Sequence, residues 1–274
     1  MLTESFQSIA AAARTVFRNW PSTLVMAIVY AFLLAVLYFF VVVREATFFQ
    51  VGLTFASAIV APLLFFVLQA MVASEAENVN AVSLLKRSLA GFWKLILVTL
   101  PLIALGILIV YLLGKAQHYF DTGAREAAEA LPRRLAETAN RHDAEPINWK
   151  AALLSTVRYL TFGLVLPLLA IHLWVATARE GLAPGISKLR HYLARAFAPQ
   201  SVLIYVAGFL IFGIAPYYLL FRTTQTRHAW LEVSFLVARL VVVFALTLFG
   251  WVVTVRALAQ FSTNPTPGGA SEAA

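Results

Sequence analysis

Apolar residues run almost unbroken through six stretches of the chain, near residues 21–43, 52–72, 92–113, 159–177, 201–221 and 233–255, and polar residues collect between them. Each stretch has about the 20 residues that an α-helix needs to cross the hydrocarbon layer of a bilayer. None shows the ten-residue apolar–polar alternation of a membrane strand. A backbone in hydrocarbon must satisfy its own hydrogen bonds, so the pattern predicts helices throughout.

Two kinds of segment recur around these runs. At one end of the even-numbered spans, Pro62-Leu63-Leu64, Leu68, Ala73 and Glu75 match Pro167-Leu168-Leu169, Leu173, Ala178 and Glu180 at a constant offset of 105. Trp174-Val175, Thr177 and Arg179 recur as Trp251-Val252, Thr254 and Arg256 at an offset of 77. Before the odd-numbered spans, Leu85-Lys86, Leu89-Ala90 and Trp93 match Leu189-Arg190, Leu193-Ala194 and Phe197, with Arg14 and Trp20 as a weaker third copy. Such basic amphipathic stretches suit the head-group layer, with apolar sides inward and Lys or Arg near phosphates. The expected fold is an all-α polytopic membrane bundle: three hairpins, each preceded by an amphipathic interfacial helix. Three parallel copies imply pseudo-threefold packing about the membrane normal.

Composition agrees with lipid as the solvent: 61% of the 274 residues are hydrophobic, 12% are charged, and the mean hydropathy is +0.81. The chain has no cysteine, which excludes disulfides, thiolate metal sites and cysteine nucleophiles. Its formal charge of +8 lies mostly beside the spans, so anionic lipid head groups rather than nucleic acid are the expected partner. Arg14, Arg18, Lys86, Arg87, Lys188, Arg190 and Arg195 are the head-group candidates.

Counting Lys and Arg in the short flanking segments gives ten on one side, Arg14, Arg18, Lys86, Arg87, Lys94, Arg179, Lys188, Arg190, Arg195 and Arg256. The short loops opposite hold three, Arg44, Arg222 and Arg227. The positive-inside rule then puts both termini in the cytosol. No cleavable signal is expected, the first span acting as an anchor. One membrane domain is expected over residues 1–260. It carries an external loop at about 115–156, with short helices over 124–139 breaking near Pro132, and residues 261–274 form a disordered tail. Ala- and Leu-rich spans with short loops point to a bacterial inner membrane.

Candidate chemistry inside the spans is sparse. Gln69 and His172 either satisfy a neighbouring helix or line a polar path. Arg239 either snorkels to the outer head groups or holds an anion. Pro62, Pro101, Pro167 and Pro216 each remove a helix hydrogen bond and are the bend candidates. Asp121-Thr122-Gly123 is a single copy of a tripeptide whose protease chemistry needs two carboxylates. The histidines, His118, His142, His172, His191 and His228, have no ligand spacing, and no metal or cofactor is expected.

The layout of repeated amphipathic helix plus hairpin, over about residues 2–260, resembles the multi-pass membrane domain preceding the catalytic barrel in some bacterial glycerophosphodiester phosphodiesterases. The resemblance is one of layout, and it implies a membrane-embedded module working near lipids, without the phosphodiesterase activity. The expected function is therefore noncatalytic, a module binding lipids or a membrane protein partner. The alternative is a permease for a small or lipid-like substrate.

Overall fold

A computed structural model describes residues 2–43, 47–74, 80–129, 149–182, 189–222 and 228–263. Of these residues 96% are helical, and none is in a strand. Six helical stretches are long and apolar enough to cross a membrane: Trp20–Val42, Phe48–Ser74, Ala81–Tyr119, Ala152–Glu180, Pro199–Phe221 and Trp230–Phe261. Each overlaps one of the six apolar runs, and this makes the chain a multi-pass membrane protein. The helices are α1 (Leu2–Arg18), α2 (Trp20–Val42), α3 (Phe48–Ser74), α4 (Ala81–Glu129), α5 (Trp149–Leu160), α6 (Leu166–Glu180), α7 (Leu189–Ala196), α8 (Pro199–Phe209), α9 (Ala215–Phe221) and α10 (Ala229–Thr263). Wider π turns, Thr161–Val165 and Leu210–Ile214, join α5 to α6 and α8 to α9.

Two compact units result, one of Met1–Val98 with Leu168–Ala274 and the other of Thr99–Pro167. In the first, buried residues form continuous runs: Val67 to Ala73 of α3, Leu168 to Thr177 of α6 and Thr254 to Ala259 of α10. A helix buried on every face is enclosed by other helices, so these segments form the middle of the unit. Phe65 and Phe66 meet the Trp174 ring edge-on at 6.0 and 6.4 Å. Tyr30 and Phe244 link α2 to α10 at 5.0 Å, and Phe17 stacks on Phe249 at 5.9 Å between α1 and α10. Many other large apolar side chains, among them Phe32, Phe55 and Val237, face outward as expected of surface in contact with lipid.

Proline decides where an entrance segment becomes a helix of its own. Pro21 opens α2 and Pro199 opens α8, positions where its missing N–H breaks no intrahelical bond. Two residues later in each case a hydroxyl reaches back across the corner, Thr23 to the Val16 carbonyl at 3.2 Å and Ser201 to the Arg195 carbonyl at 2.8 Å. The segment around Lys86 and Arg87 has no such proline and is not a separate helix; it is the beginning of α4, continuous with the span. Helix α4 likewise runs past the third apolar run to Glu129, so residues 115–129 extend that helix and Asp121-Thr122-Gly123 lies within it. This Ala- and Glu-rich segment is a good helix former with no proline. The expected break near Pro132, and residues 264–274 of the tail, lie outside the described residues.

The four spanning prolines fall into two classes. Pro62 and Pro101 sit inside α3 and α4. Pro167 and Pro216 each follow a π turn by two residues, and the Leu166 and Ala215 N–H groups donate back five residues to Thr161 and Leu210. Widening the turn relieves the clash between the proline ring and the preceding turn. In the second unit, a Cβ added to Gly106 of α4 would make ordinary 3.5 Å contacts with Phe162 and Leu166.

Candidate functional site

Within the first unit, the last turns of α3 and α6 and the first turns of α4 surround a cavity of about 340 Å³. Arg87, Ser88, Gly91, Lys94 and Leu95 contribute one face of α4, at helical spacings of three and four. Ala70 and Ser74 come from α3, and Thr177, Arg179 and Glu180 from α6. Gly181 ends α6 with φ +91°, its N–H donating to the Thr177 carbonyl at 3.1 Å, a left-handed stop that glycine tolerates best.

Among the described residues, Arg87, Lys94, Arg179 and the Glu180 carboxylate line this cavity. Arg179 Nη1 donates to the Ala259 carbonyl of α10 at 3.2 Å, and a Glu180 carboxylate oxygen accepts the Tyr192 hydroxyl of α7 at 2.9 Å. Burial and then Glu180 push the Tyr192 phenol up to about 12. Cations also complement the negative C-terminal ends of α3 and α6. That effect does not explain two hydroxyls in the lining. Ser88 and Thr177 are 1% and 2% exposed, and their oxygens are buried without a hydrogen-bond partner among the described residues. An orphaned buried hydroxyl costs about 1–3 kcal/mol.

Orphan hydroxyls are not the habit of this chain. Thr15, Thr54, Thr156, Thr247 and Thr254 all donate to the carbonyl four residues back, at 2.6 to 3.1 Å. Thr254 stands 77 positions after Thr177, in the matching segment, and bonds the Gly250 carbonyl at 2.6 Å. Thr177 makes no such bond to Leu173.

The intramembrane candidates do not meet in one place. Gln69, 4% exposed, accepts the Trp251 indole N–H at 2.9 Å and so joins α3 to α10. His172, 3% exposed, has Nδ1 2.9 Å from the Leu168 carbonyl. A carbonyl can only accept, so Nδ1 carries a proton, and Nε2 is buried without a partner among the described residues. Arg239 donates to the Arg222 carbonyl just past α9, a helix-end contact far along α10 from Trp251.

Of the head-group candidates, Arg14, Arg18, Lys86, Arg87 and Arg190 are exposed and Arg195 is half-buried, while Lys188 lies outside the described residues. Arg87 alone among them lines the cavity. Lys94, Arg179, Ser88 and Thr177 were not among the site residues expected from sequence. Thr177 and Arg179 do lie in the recurring segments, but nothing in the sequence brings α4 beside them. No family model, no curated protein and no solved structure matches the chain.

Proposed function

We propose that this chain is a noncatalytic membrane module that binds a lipid at the cavity between α3, α4 and α6. One observation carries the reading: Gln69 and Trp251 pair with each other between the spans, whereas cations and orphan hydroxyls gather around an open cavity at the helix ends. With the orientation inferred from the Lys and Arg distribution, the cavity lies at the cytosolic face of what we take to be a bacterial inner membrane. There α1, with exposed Arg14 and Arg18, and α7, with exposed Arg190, would lie along the head groups. Convergence of the buried segments of α3, α6 and α10 supports the three-copy reading, as does the Gln69–Trp251 bond, which joins matching positions of two copies. The layout resemblance to the phosphodiesterase membrane domain fits a module near lipids.

A permease would need Gln69, His172 and Arg239 along one path, and two of them are engaged elsewhere; the buried Nε2 of His172 is the observation that favours it. Native mass spectrometry of the chain extracted with its lipids tests the choice. The lipid-binding module predicts a retained lipid whose occupancy falls on substitution of Lys94 or Arg179. A chain that retains a small solute and no lipid, with binding lost in His172→Leu, would favour the permease. A stoichiometric membrane protein bound in place of lipid would replace lipid binding with partner binding.

A further inference from the structure

A second cavity in the first unit, of about 410 Å³, lies between α1, α8 and α10 and shares no lining residue with the one between α3, α4 and α6. Ile9, Ala13 and Phe17, four residues apart, form one wall. Gly208 and Ile211, where α8 widens into its π turn, form another, and α10 supplies the third between Ala245 and Thr254. Thr254 brings the one hydroxyl of the lining, and it donates to the Gly250 carbonyl at 2.6 Å. Water inside would therefore lack the roughly two to four polar partners that a buried water needs. An empty apolar void, in turn, destabilises a fold in proportion to its volume. Phe17 and Ile211 are exposed, so the cavity opens on the apolar outer surface of the unit, and its natural occupant is apolar.

We infer that this cavity seats one acyl chain of an anionic phospholipid. Its α8 and α10 walls belong to stretches long and apolar enough to cross a membrane. From Ala245 to Thr254 the α10 wall runs about 13 Å along the helix axis. One leaflet of hydrocarbon is about 15 Å deep, so the cavity accepts a single chain along most of its length. Arg14 and Arg18 are exposed on α1, each one residue beyond a lining position, Ala13 and Phe17. An apolar helix of a partner protein lodged here would press those guanidinium groups into a dry contact, which is costly. A phospholipid instead brings its own phosphate to meet them. Residues 264–274, which follow α10, hold no large apolar side chain to fill the space.

The test uses the full chain in nanodiscs doped with phosphatidylglycerol, or phosphatidylcholine, that carries a photoreactive diazirine midway along one acyl chain. Adducts are mapped by peptide mass spectrometry. Adducts of phosphatidylglycerol on Ile211 and Leu246 are expected at least tenfold above those on Leu63 and Leu97, which are exposed leucines outside the cavity. Phosphatidylcholine should label the cavity at least fivefold less, and Arg14→Gln with Arg18→Gln should erase that preference. Ala245→Leu and Ala13→Leu fill the void, so each should raise the melting temperature in lipid-free detergent while cutting cavity adducts at least tenfold. Undiminished adducts on Leu63 and Leu97 show that these variants fold. Lys94→Gln should change none of this, so the site stands apart from the lipid reading of the other cavity. Adducts on Ile211 and Leu246 no denser than on Leu63 and Leu97 would be ordinary bilayer contact and overturn the seated chain. Undiminished cavity adducts in both filled variants overturn it as well. Equal labelling by the two lipids overturns the anionic head group, and a copurified protein crosslinked to α1 in place of lipid overturns lipid as the occupant.

Discussion

The bond between Gln69 and Trp251 is the sharpest test of how the first unit is held together. It joins residues 182 positions apart at 2.9 Å, and Gln69 is 4% exposed, so removing either partner strands the other in a dry setting. Hydrogen bonds between membrane helices average about 0.6 kcal/mol and reach about 1.7. Burial at the meeting of α3 and α10 places this one toward the upper end, about 1 kcal/mol. Gln69→Leu should destabilise by about 1–2 kcal/mol, since it loses the bond and orphans an indole N–H. Trp251→Phe should destabilise more, because it also trims the ring that meets Phe212 edge-on at 5.2 Å. The double variant should be less destabilised than the sum of the two by about 1 kcal/mol. Reversible unfolding of the purified chain in mixed detergent micelles, titrated with dodecyl sulfate, measures all four corners of the cycle. A coupling below about 0.3 kcal/mol, within ordinary additivity error, would refute the claim that this bond holds α3 to α10.

Other predictions test different contacts. A Cβ on Gly208 of α8 would lie 2.8 Å from the Thr254 Cβ of α10, so Gly208→Ala should force the helices apart and destabilise by about 1–3 kcal/mol in the same unfolding assay. The Tyr192 phenol, held up to about 12 from the ordinary 10 by burial and by Glu180, makes a contribution to stability that is complete below pH 10 and lost as pH rises toward 12. Tyr192→Phe should flatten that fall in melting temperature over this window. The chain has no cysteine, so single introduced thiols report orientation cleanly. Thr47→Cys should react with an impermeant maleimide on intact cells and Ser83→Cys only after permeabilisation, and the reverse would invert the inferred topology.

How much was legible in sequence differs by level. The six helices were legible because hydrocarbon leaves a buried backbone no alternative, and each apolar run is long enough to cross. The separation of α1 from α2 and of α7 from α8 was legible in principle from Pro21 and Pro199, and its absence before the third span from the lack of a proline there. The π turns before Pro167 and Pro216, with α-helix around Pro62, were not, since proline alone does not say how a freed carbonyl is satisfied.

Sequence by itself determined the class of solvent, the number of spans and which residues could carry polar chemistry. Tertiary structure alone decided which of these meet: Gln69 with Trp251, Arg239 with the end of α9, and Ser88 with Thr177 beside one cavity. The reason is physical. In water, an apolar stripe tells a helix which face to bury. In a bilayer, lipid is as apolar as the protein interior, so every face of a span reads alike. The choice of neighbour then falls to close approaches such as Gly208 against Thr254, and to single hydrogen bonds between residues far apart in the chain.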